Sequence, residues 1–223
     1  MTASVVQRLI VKDWQLHRVH LAISIGGGVI GLVLITFGGM TGLLGLIGFF
    51  TAMIVLSSML PNTNINNERK GQHLAFLMSL PISSTDYTAA KILASVGLFL
   101  APWLALVLGA LSIILGRSDI PNGLIPLTLI LSALPLLGFC LLTGVALVSE
   151  SEAFTIAVMI GCNVLYSLSW TLLISNPGVR AGMGSKVAEW NPTVLTILGW
   201  EFAAMAVILA LTFYLQSRKR DFV

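Results

Sequence analysis

The stretch NNERKGQHLAFLMSLPISSTDYTAAK, residues 66–91, is the one long polar and charged run between segments that are otherwise lipid-soluble. Three of its apolar side chains recur at the spacing of one helical face; they are Leu74, Leu77 and Met78. Pro81 disfavours helical backbone in the residue before it, so the sequence predicts a short amphipathic helix that ends at Leu80. We expect this helix at a membrane surface between two spanning helices, where it could dock a soluble partner or lie on lipid headgroups.

A second helix is predicted to begin almost at once. Ser83 and Asp86 have the spacing of a capping box, in which a hydroxyl and a carboxylate satisfy backbone N–H groups at a helix start. This helix continues through Lys91 into an apolar span. The short amphipathic helix is therefore held rigidly at its C-terminal end, and it can transmit force to the following span.

Composition places the chain in a membrane. Of its 223 residues, 57% are hydrophobic and 9% are charged, whereas about a quarter of the residues of a soluble domain are charged. Each spanning helix needs roughly 20 predominantly apolar residues. Six such stretches are present: 19–37, 41–60, 91–115, 124–148, 153–174 and 194–215. The sequence thus predicts an all-α integral membrane protein with six transmembrane helices, in which residues 1–223 form a single transmembrane domain.

The positive charges predict an orientation. With both termini in the cytosol, nine of the 12 Lys and Arg residues lie on the cytosolic side. The exceptions are Arg117, Arg180 and Lys186. Cytosolic segments carry the excess of Lys and Arg in membrane proteins, so this orientation is favoured. It makes residues 61–90, between the second and third spans, cytosolic, and we expect a multi-pass protein of a bacterial cytoplasmic (inner) membrane.

The N-terminal segment, residues 1–18, is predicted to be an interfacial helix. Its apolar residues form one strip, and Trp14 is a residue type suited to the membrane interface. Lys12 and Arg18 can reach from this strip toward anionic lipid. A helix of this kind lies flat in the headgroup layer.

The first predicted hairpin is rich in glycine. Gly27 and Gly31 form a GxxxG motif, and Gly42, Gly45 and Gly48 recur every three residues. Glycines at such spacings allow two helix backbones to approach closely in lipid. A phosphate-binding loop would need a preceding strand and a following Lys-Ser or Lys-Thr, which the sequence lacks here. The pattern therefore favours helix packing.

Several chemistries lack the residues they need. The sequence contains no GxxxxGK(S/T), no HExxH and no paired Asp within a span. His17 and His20 are three residues apart, but no carboxylate or Cys accompanies them at a metal-binding spacing. Cys140 and Cys162 lie in predicted spans as small apolar side chains. The basic residues have no interleaved aromatic side chains, which argues against nucleic acid. We expect no catalytic, cofactor-binding or metal site in this chain.

Polar side chains within the spans are candidates for a substrate path. They are Asn163, Tyr166 and Glu201. Asn163 and Tyr166, with Ser167 beside them, could hydrogen-bond a substrate headgroup or another helix. Glu201 is the one acid well inside an apolar run, and ionisable groups there are functional candidates. Counting back from Arg218 puts Glu201 roughly 25 Å from the cytosolic border, which favours a structural position near the outer interface.

Residues 68–91 resemble the coupling-helix region of type-2 ABC transporter permeases. That family carries an acidic and basic cluster, a Gly, and a Leu-rich helix closed by S-L-P-hydrophobic-S, followed by a Lys before the third span. The matching positions are Glu68, Arg69, Gly71, Leu77, Ser79, Leu80, Pro81, Ser83 and Lys91. The pair His73-Leu74 departs from the family, because many relatives have an acidic residue there.

The resemblance implies a permease subunit of an ABC exporter that is not itself an enzyme. ATP and Mg would be bound by two ATPase subunits, and a second permease subunit, identical or similar, would complete the transporter. The elbow helix of the family would correspond to residues 1–18. The implied ATPase-docking residues on the cytosolic coupling helix are Glu68, Arg69, Lys70, Gly71, Gln72, His73, Leu74, Leu77, Met78, Leu80 and Pro81.

Two other classes of function are open from the residues alone. The first is an ATP-independent channel or secondary transporter, which commonly needs intramembrane charges or broken helices and for which Glu201 is the only support. The second is an intramembrane enzyme. It would need paired catalytic groups within the spans, but the three His residues all fall at predicted cytosolic borders.

Overall fold

The computed structural model of the chain describes the backbone of residues 3–63, 84–149 and 151–218. It describes the side chains of residues 14–63, 92–149 and 151–218. Within these ranges the chain is helical and contains no strand. The predicted coupling helix and its docking residues, between Glu68 and Pro81, lie outside the described residues, so their structure stays a prediction.

Seven helices follow one another in the described ranges. They are α1 (Ala3–Ile35), α2 (Gly39–Pro61), α3 (Ser84–Gly116), α4 (Leu124–Ser149), α5 (Glu152–Ser175), α6 (Pro177–Arg180) and α7 (Pro192–Arg218). All except the four-residue α6 contain a stretch long and apolar enough to cross a membrane. Each of the six predicted spans overlaps a different one of these helices, so the prediction of six candidate spans is confirmed.

Helix α1 is continuous from Ala3 to Ile35. The predicted interfacial segment and the first predicted span are therefore parts of one helix, without a helix boundary at residue 18. The three successive glycines at 26–28 do not interrupt it. The position of residues 1–18 relative to a membrane stays a prediction.

Helices α1 and α2 form a hairpin held by glycines. Gly38 and Gly39 connect them with φ angles of 69° and 55°, which are left-handed values that favour glycine. Farther along the hairpin the two backbones touch. A Cβ added to Gly31 would lie 2.8 Å from the carbonyl oxygen of Gly45, and a Cβ added to Gly45 would lie 2.6 Å from the carbonyl oxygen of Gly31. The predicted glycine packing is confirmed at this pair.

Helix α4 is the centre of the bundle. It packs against α2, α3, α5 and α7, and Phe139 on α4 stacks on Phe99 of α3 with ring centroids 4.4 Å apart. Pro135 lies within α4 and has no N–H to donate to the preceding turn. Beside this proline, the carbonyl of Ser132 accepts the indole N–H of Trp103 at 2.8 Å. A side chain of α3 thus donates to the α4 carbonyl next to that of Leu131, which lacks its helical donor because of Pro135.

Helix α7 buries polar side chains and exposes apolar ones. Its buried residues recur at intervals of seven and four, which places them on one face; they are Val194, Glu201, Met205, Thr212 and Gln216. Large apolar side chains such as Trp200 and Phe202 lie exposed on the other sides. In a soluble protein the polar residues would face outward. This distribution suits a helix whose outer surface contacts lipid.

Three connections meet at one end of the bundle, which we call the loop end; they are residues 36–38, 117–123 and 176–191. The guanidinium of Arg117 donates to the carbonyl of Thr36 at 2.5 Å and pairs with Asp119 at 2.7 Å. The N–H of Gly123 donates to the carbonyl of Ser185 at 2.9 Å. Hydrogen bonds to backbone carbonyls therefore link the three connections at the loop end.

Candidate functional site

A cavity of about 430 Å³ lies between α2 and α5, and we call it the groove. Helix α4 forms its floor, because α2 and α5 both pack against α4 but barely touch each other. The apolar side chains of its lining come mostly from α2 and α4; they are Leu43, Leu46, Ile47, Phe50, Ile54, Leu131, Leu134, Pro135 and Trp170. Several residues at its rim, such as Leu43 and Ile47, are exposed on the bundle surface. The groove is thus open sideways.

Uncharged polar groups line the α5 side of the groove. They belong to Asn163, Tyr166, Ser167 and Thr171, and Trp170 lies among them. The spacing i, i+3, i+4, i+7 and i+8 corresponds to one helical face. Helix α5 therefore turns a polar face toward the groove, opposite a wall of α2 that is apolar apart from Thr51.

Asn163 presents an unused acceptor to the groove. Its amide N–H donates to the carbonyl of Met159 at 3.0 Å, and its amide oxygen makes no hydrogen bond to any residue that the structure describes. Asn163 lies roughly 16 Å along α5 from Glu152, near the middle of a hydrocarbon core roughly 30 Å thick. A polar group exposed to lipid at that depth is costly. The position is better suited to contact with a polar ligand or another protein chain.

Tyr166 reaches from α5 to the backbone of α4. Its hydroxyl occupies the space where a side chain at Gly138 would begin, so a Cβ at that position would overlap the hydroxyl oxygen. The Ser57 side chain lies near the hydroxyl, but Ser57 donates to the carbonyl of Ile54 at 2.8 Å. Among the described residues no partner has hydrogen-bond geometry to the Tyr166 hydroxyl. The Tyr166 ring therefore lines the groove, while its hydroxyl is buried against α4 by a contact that requires glycine.

A second cavity of about 250 Å³ lies toward the loop end, and we call it the inner chamber. Side chains of α1 to α5 surround it, and Ile120 and Met183 from the connections close it at the loop end. Among the described residues that line it, Thr128 is the only one with a hydroxyl group, and the others are aliphatic, aromatic or methionine. The chamber is accordingly an almost wholly apolar compartment inside the chain.

The groove and the inner chamber share one wall. Four residues line both cavities: Leu46, Phe50, Leu131 and Trp170. The rings of Phe50 and Trp170 meet edge to face with centroids 5.7 Å apart. Since Phe50 belongs to α2 and Trp170 to α5, this aromatic pair joins the two helices that otherwise barely touch.

Glu201 lies away from both cavities. It is 7% exposed on the buried face of α7, and it lines neither the groove nor the inner chamber. One of its carboxylate oxygens is buried without a hydrogen-bond partner in the described part of the chain. The structure thus brings two of the three candidate path residues together, Asn163 and Tyr166, and leaves Glu201 in the packing of α7.

Sequence reasoning missed Phe50, Trp170 and the inner chamber behind them. Trp170 follows Asn163 by seven residues, so its place on the same helical face was readable from the spacing. Phe50 gave no comparable signal, because α2 is mostly apolar and its few polar residues form no face that indicates which side meets α5.

Six apolar helices, with polar residues buried between them and apolar residues outside, define a multi-pass membrane protein. The groove and the inner chamber give this bundle an internal site of a size that small ligands occupy. Comparisons with protein-family models, curated proteins and solved structures give no match. The basis for a functional assignment is therefore the chain's own sequence and geometry.

Proposed function

We propose that the chain is the membrane-spanning permease subunit of an ABC exporter. A separate ATPase would dock on the segment between α2 and α3. The observation that carries this proposal is the resemblance of residues 68–91 to the coupling-helix region of type-2 ABC permeases, which falls between the second and third of six candidate spans. The sequence has no GxxxxGK(S/T) motif, so ATP and Mg would be bound by the two ATPase subunits.

The arrangement of α2 and α3 links the docking segment to the cavities. Both helices begin or end at that segment. Helix α2 forms the mostly apolar wall of the groove, and α3 lines the inner chamber through Ala110, Ile113 and Ile114. A push on the segment by a closing ATPase dimer would therefore move walls of both cavities. In this proposal a second permease subunit completes the transporter, both termini are cytosolic in a bacterial inner membrane, and the loop end faces outward.

The docking face provides the first test. Changing Leu74, Leu77 and Met78 together to Glu places charges where an apolar contact with the ATPase is proposed. We expect the variant to insert into the membrane normally, but to lose co-purification with an ATPase encoded in the neighbouring reading frame. We also expect the loss of permease-dependent ATP hydrolysis. The matched control is Ser217→Glu, which adds a charge at an exposed site on α7. A triple variant that still binds and stimulates the ATPase as the wild type does would refute the docking role.

Membrane orientation provides a second, independent test. Lys70 and Lys186 are proposed to lie on opposite sides of the membrane. An amine reagent that cannot cross the bilayer should label Lys186 in intact cells and Lys70 only after the cytosolic side is made accessible. If Lys70 is labelled from outside, a cytosolic ATPase could not reach the segment, and the proposal fails.

One observation favours a second candidate, an ATP-independent transporter. Glu201 is buried within the bundle with an unpaired carboxylate oxygen in the described part of the chain, and such residues often mark ion or proton pathways. For that candidate, Glu201→Gln would abolish transport measured without an ATPase. For the permease proposed above, Glu201→Gln should leave ATPase binding and stimulation intact.

A further inference from the structure

The linings of the groove and the inner chamber are electrically neutral. No Lys, Arg, Asp or Glu is among the described residues that line either cavity. A charged group that entered them would lose its hydration without gaining a counter-charge, which is strongly unfavourable. The two cavities therefore select against charged ligands.

Polarity changes in one direction from the groove to the inner chamber. Asn163, Ser167 and Thr171 place amide and hydroxyl groups along the α5 side of the groove, whereas the Tyr166 hydroxyl is buried against Gly138. Beyond the wall formed by Phe50 and Trp170, the chamber is lined by aliphatic and aromatic side chains apart from Thr128. This order matches a molecule with an uncharged polar head and an apolar tail.

The volumes limit the tail to a single chain. An apolar cavity of about 150 Å³ is already large enough to bind benzene, so the 250 Å³ chamber can hold a segment of one hydrocarbon chain. The groove, at 430 Å³, lies within the usual range for small-ligand sites, about 300–1,000 Å³. The second chain of a two-chain lipid would have to stay outside the chamber.

The aromatic pair is placed to control passage between the two cavities. Phe50 and Trp170 are half-buried, and they meet across the gap between α2 and α5. A small change in the separation of these helices, or a rotation of either ring, would join the groove to the chamber. Because the groove is open sideways, a molecule in the bilayer can reach it without first entering water.

From these observations we propose that the groove and the inner chamber form one binding site for an uncharged, single-chain amphiphile taken from the bilayer. The head hydrogen-bonds to the polar face of α5, and the tail passes between Phe50 and Trp170 into the chamber. As the substrate class of a transporter, this inference rests on the proposed function; as a binding site, it stands on the cavities alone.

Fluorescence quenching by a brominated ligand tests the site. The purified full-length chain, in lipid nanodiscs and without any ATPase, is titrated with a monoacylglycerol that carries bromine on its acyl chain. Bromine quenches tryptophan at contact, and the signal of Trp170 is the difference between the wild type and Trp170→Phe. We expect saturable quenching of Trp170. A brominated fatty acid, which is anionic, and a brominated phosphatidylcholine, which has two chains, should quench it weakly and without saturation.

Variants of each compartment sharpen the test. Ala110→Leu and Thr128→Leu each fill part of the inner chamber from a different helix, and both should abolish the saturable quenching. Asn163→Leu removes one head-group hydrogen bond and should weaken the apparent affinity about 5- to 10-fold. Ala157→Leu is the matched control, because Ala157 is exposed on α5 and lines neither cavity. It should bind the probe as the wild type does.

Three results would overturn the proposal. Quenching that is unsaturable and equal in Ala110→Leu would mean that Trp170 only faces bulk lipid. Equal saturable quenching by the two-chain lipid would exclude a single-chain site. Absent quenching, together with a disulfide between two copies of Asn163→Cys, would mean that a second copy of the chain covers the groove. None of these results depends on an ATPase, so they are distinguishable from a failure of the docking experiment.

Discussion

Helices α4 and α5 follow one another in the chain and are both apolar, but the structure uses them differently. In α4, 56% of the apolar span is buried, whereas in α5 only 11% is buried. Helix α4 packs against four other long helices, while α5 packs mainly against α4. The polar residues Ser132 and Thr143 of α4 are enclosed by protein, but Asn163 and Ser167 of α5 lie exposed along the groove.

This difference suggests that α4 mainly determines the stability of the bundle and that α5 mainly determines what the groove binds. A helix packed on all sides in lipid is held by close contact of its side chains, since lipid provides no hydrophobic drive between helices. Such a helix should tolerate few changes. Helix α5 contributes one face to the packing and a polar face to the groove, so substitutions on it should change binding more than folding.

The largest contrast is expected between two single truncations. Phe139→Ala removes a ring that is 1% exposed and stacked on Phe99, and it should cost about 3–5 kcal/mol in the free energy of unfolding. Leu165→Ala on α5, where the side chain is 59% exposed, should change it by less than about 0.5 kcal/mol. Unfolding in detergent, followed by circular dichroism, measures both. If the two substitutions lower the unfolding free energy equally, α4 does not contribute more to stability than α5.

The contact between the two helices is tested by Gly138 and Tyr166. Gly138→Ala drives a methyl group into the space of the Tyr166 hydroxyl, and we expect a loss of about 1–3 kcal/mol in unfolding free energy. Tyr166→Phe removes the oxygen, so the same glycine substitution should cost at least about 0.5 kcal/mol less in that background. The control is Gly161→Ala on α5, where an added Cβ meets nothing within 4 Å. Strict additivity of Gly138→Ala and Tyr166→Phe would contradict the contact.

The spans could be predicted because length and composition alone decide whether a helix crosses lipid. The close approach of Gly31 and Gly45 could also be predicted, since glycine spacing identifies a packing surface. The groove could not. A helix that is mostly apolar and has no polar face lacks a sequence pattern to show which neighbour each side meets, so the pairing of α2 with α5 across α4 emerges only from packing.

In the candidate site too, some features could be predicted from the sequence and others depend on packing. Asn163 and Tyr166 stood out in the sequence because polar groups in a span need partners. Their place at a common cavity depends on Gly138, which admits the Tyr166 hydroxyl, and on Phe50 opposite. Glu201 drew attention for the same polar reason, but its side of α7 packs into the bundle away from the groove. Polarity identified candidates, and packing decided which of them meet.

A smaller loss of stability is expected from removing the hydrogen bond between Trp103 of α3 and the α4 backbone near Pro135. Trp103→Phe keeps the ring but removes the indole N–H that donates to the Ser132 carbonyl, and it should cost about 0.5–1.5 kcal/mol in unfolding free energy. Trp190→Phe is the control, because that side chain is 46% exposed near the loop end and should be nearly neutral. If both substitutions have the same effect, the indole does not support the α4 backbone beside Pro135.

The smallest effect should come from the connection that leads into α4. Arg117 holds the pKa of Asp119 below its ordinary value of 3.8 by hydrogen bonding to the carboxylate. A lowered pKa means that the stabilisation is present above the ordinary value and is lost as the pH falls through the folded-state pKa. The thermal midpoint of the wild type should therefore exceed that of Asp119→Asn slightly at neutral pH, and this difference should shrink and then vanish as the pH falls below 3.8. Because the pair is exposed, about 1 M salt should also reduce the difference. A difference that persists unchanged at low pH and high salt would assign the effect to the loop backbone, leaving the anchoring of α4 independent of this ion pair.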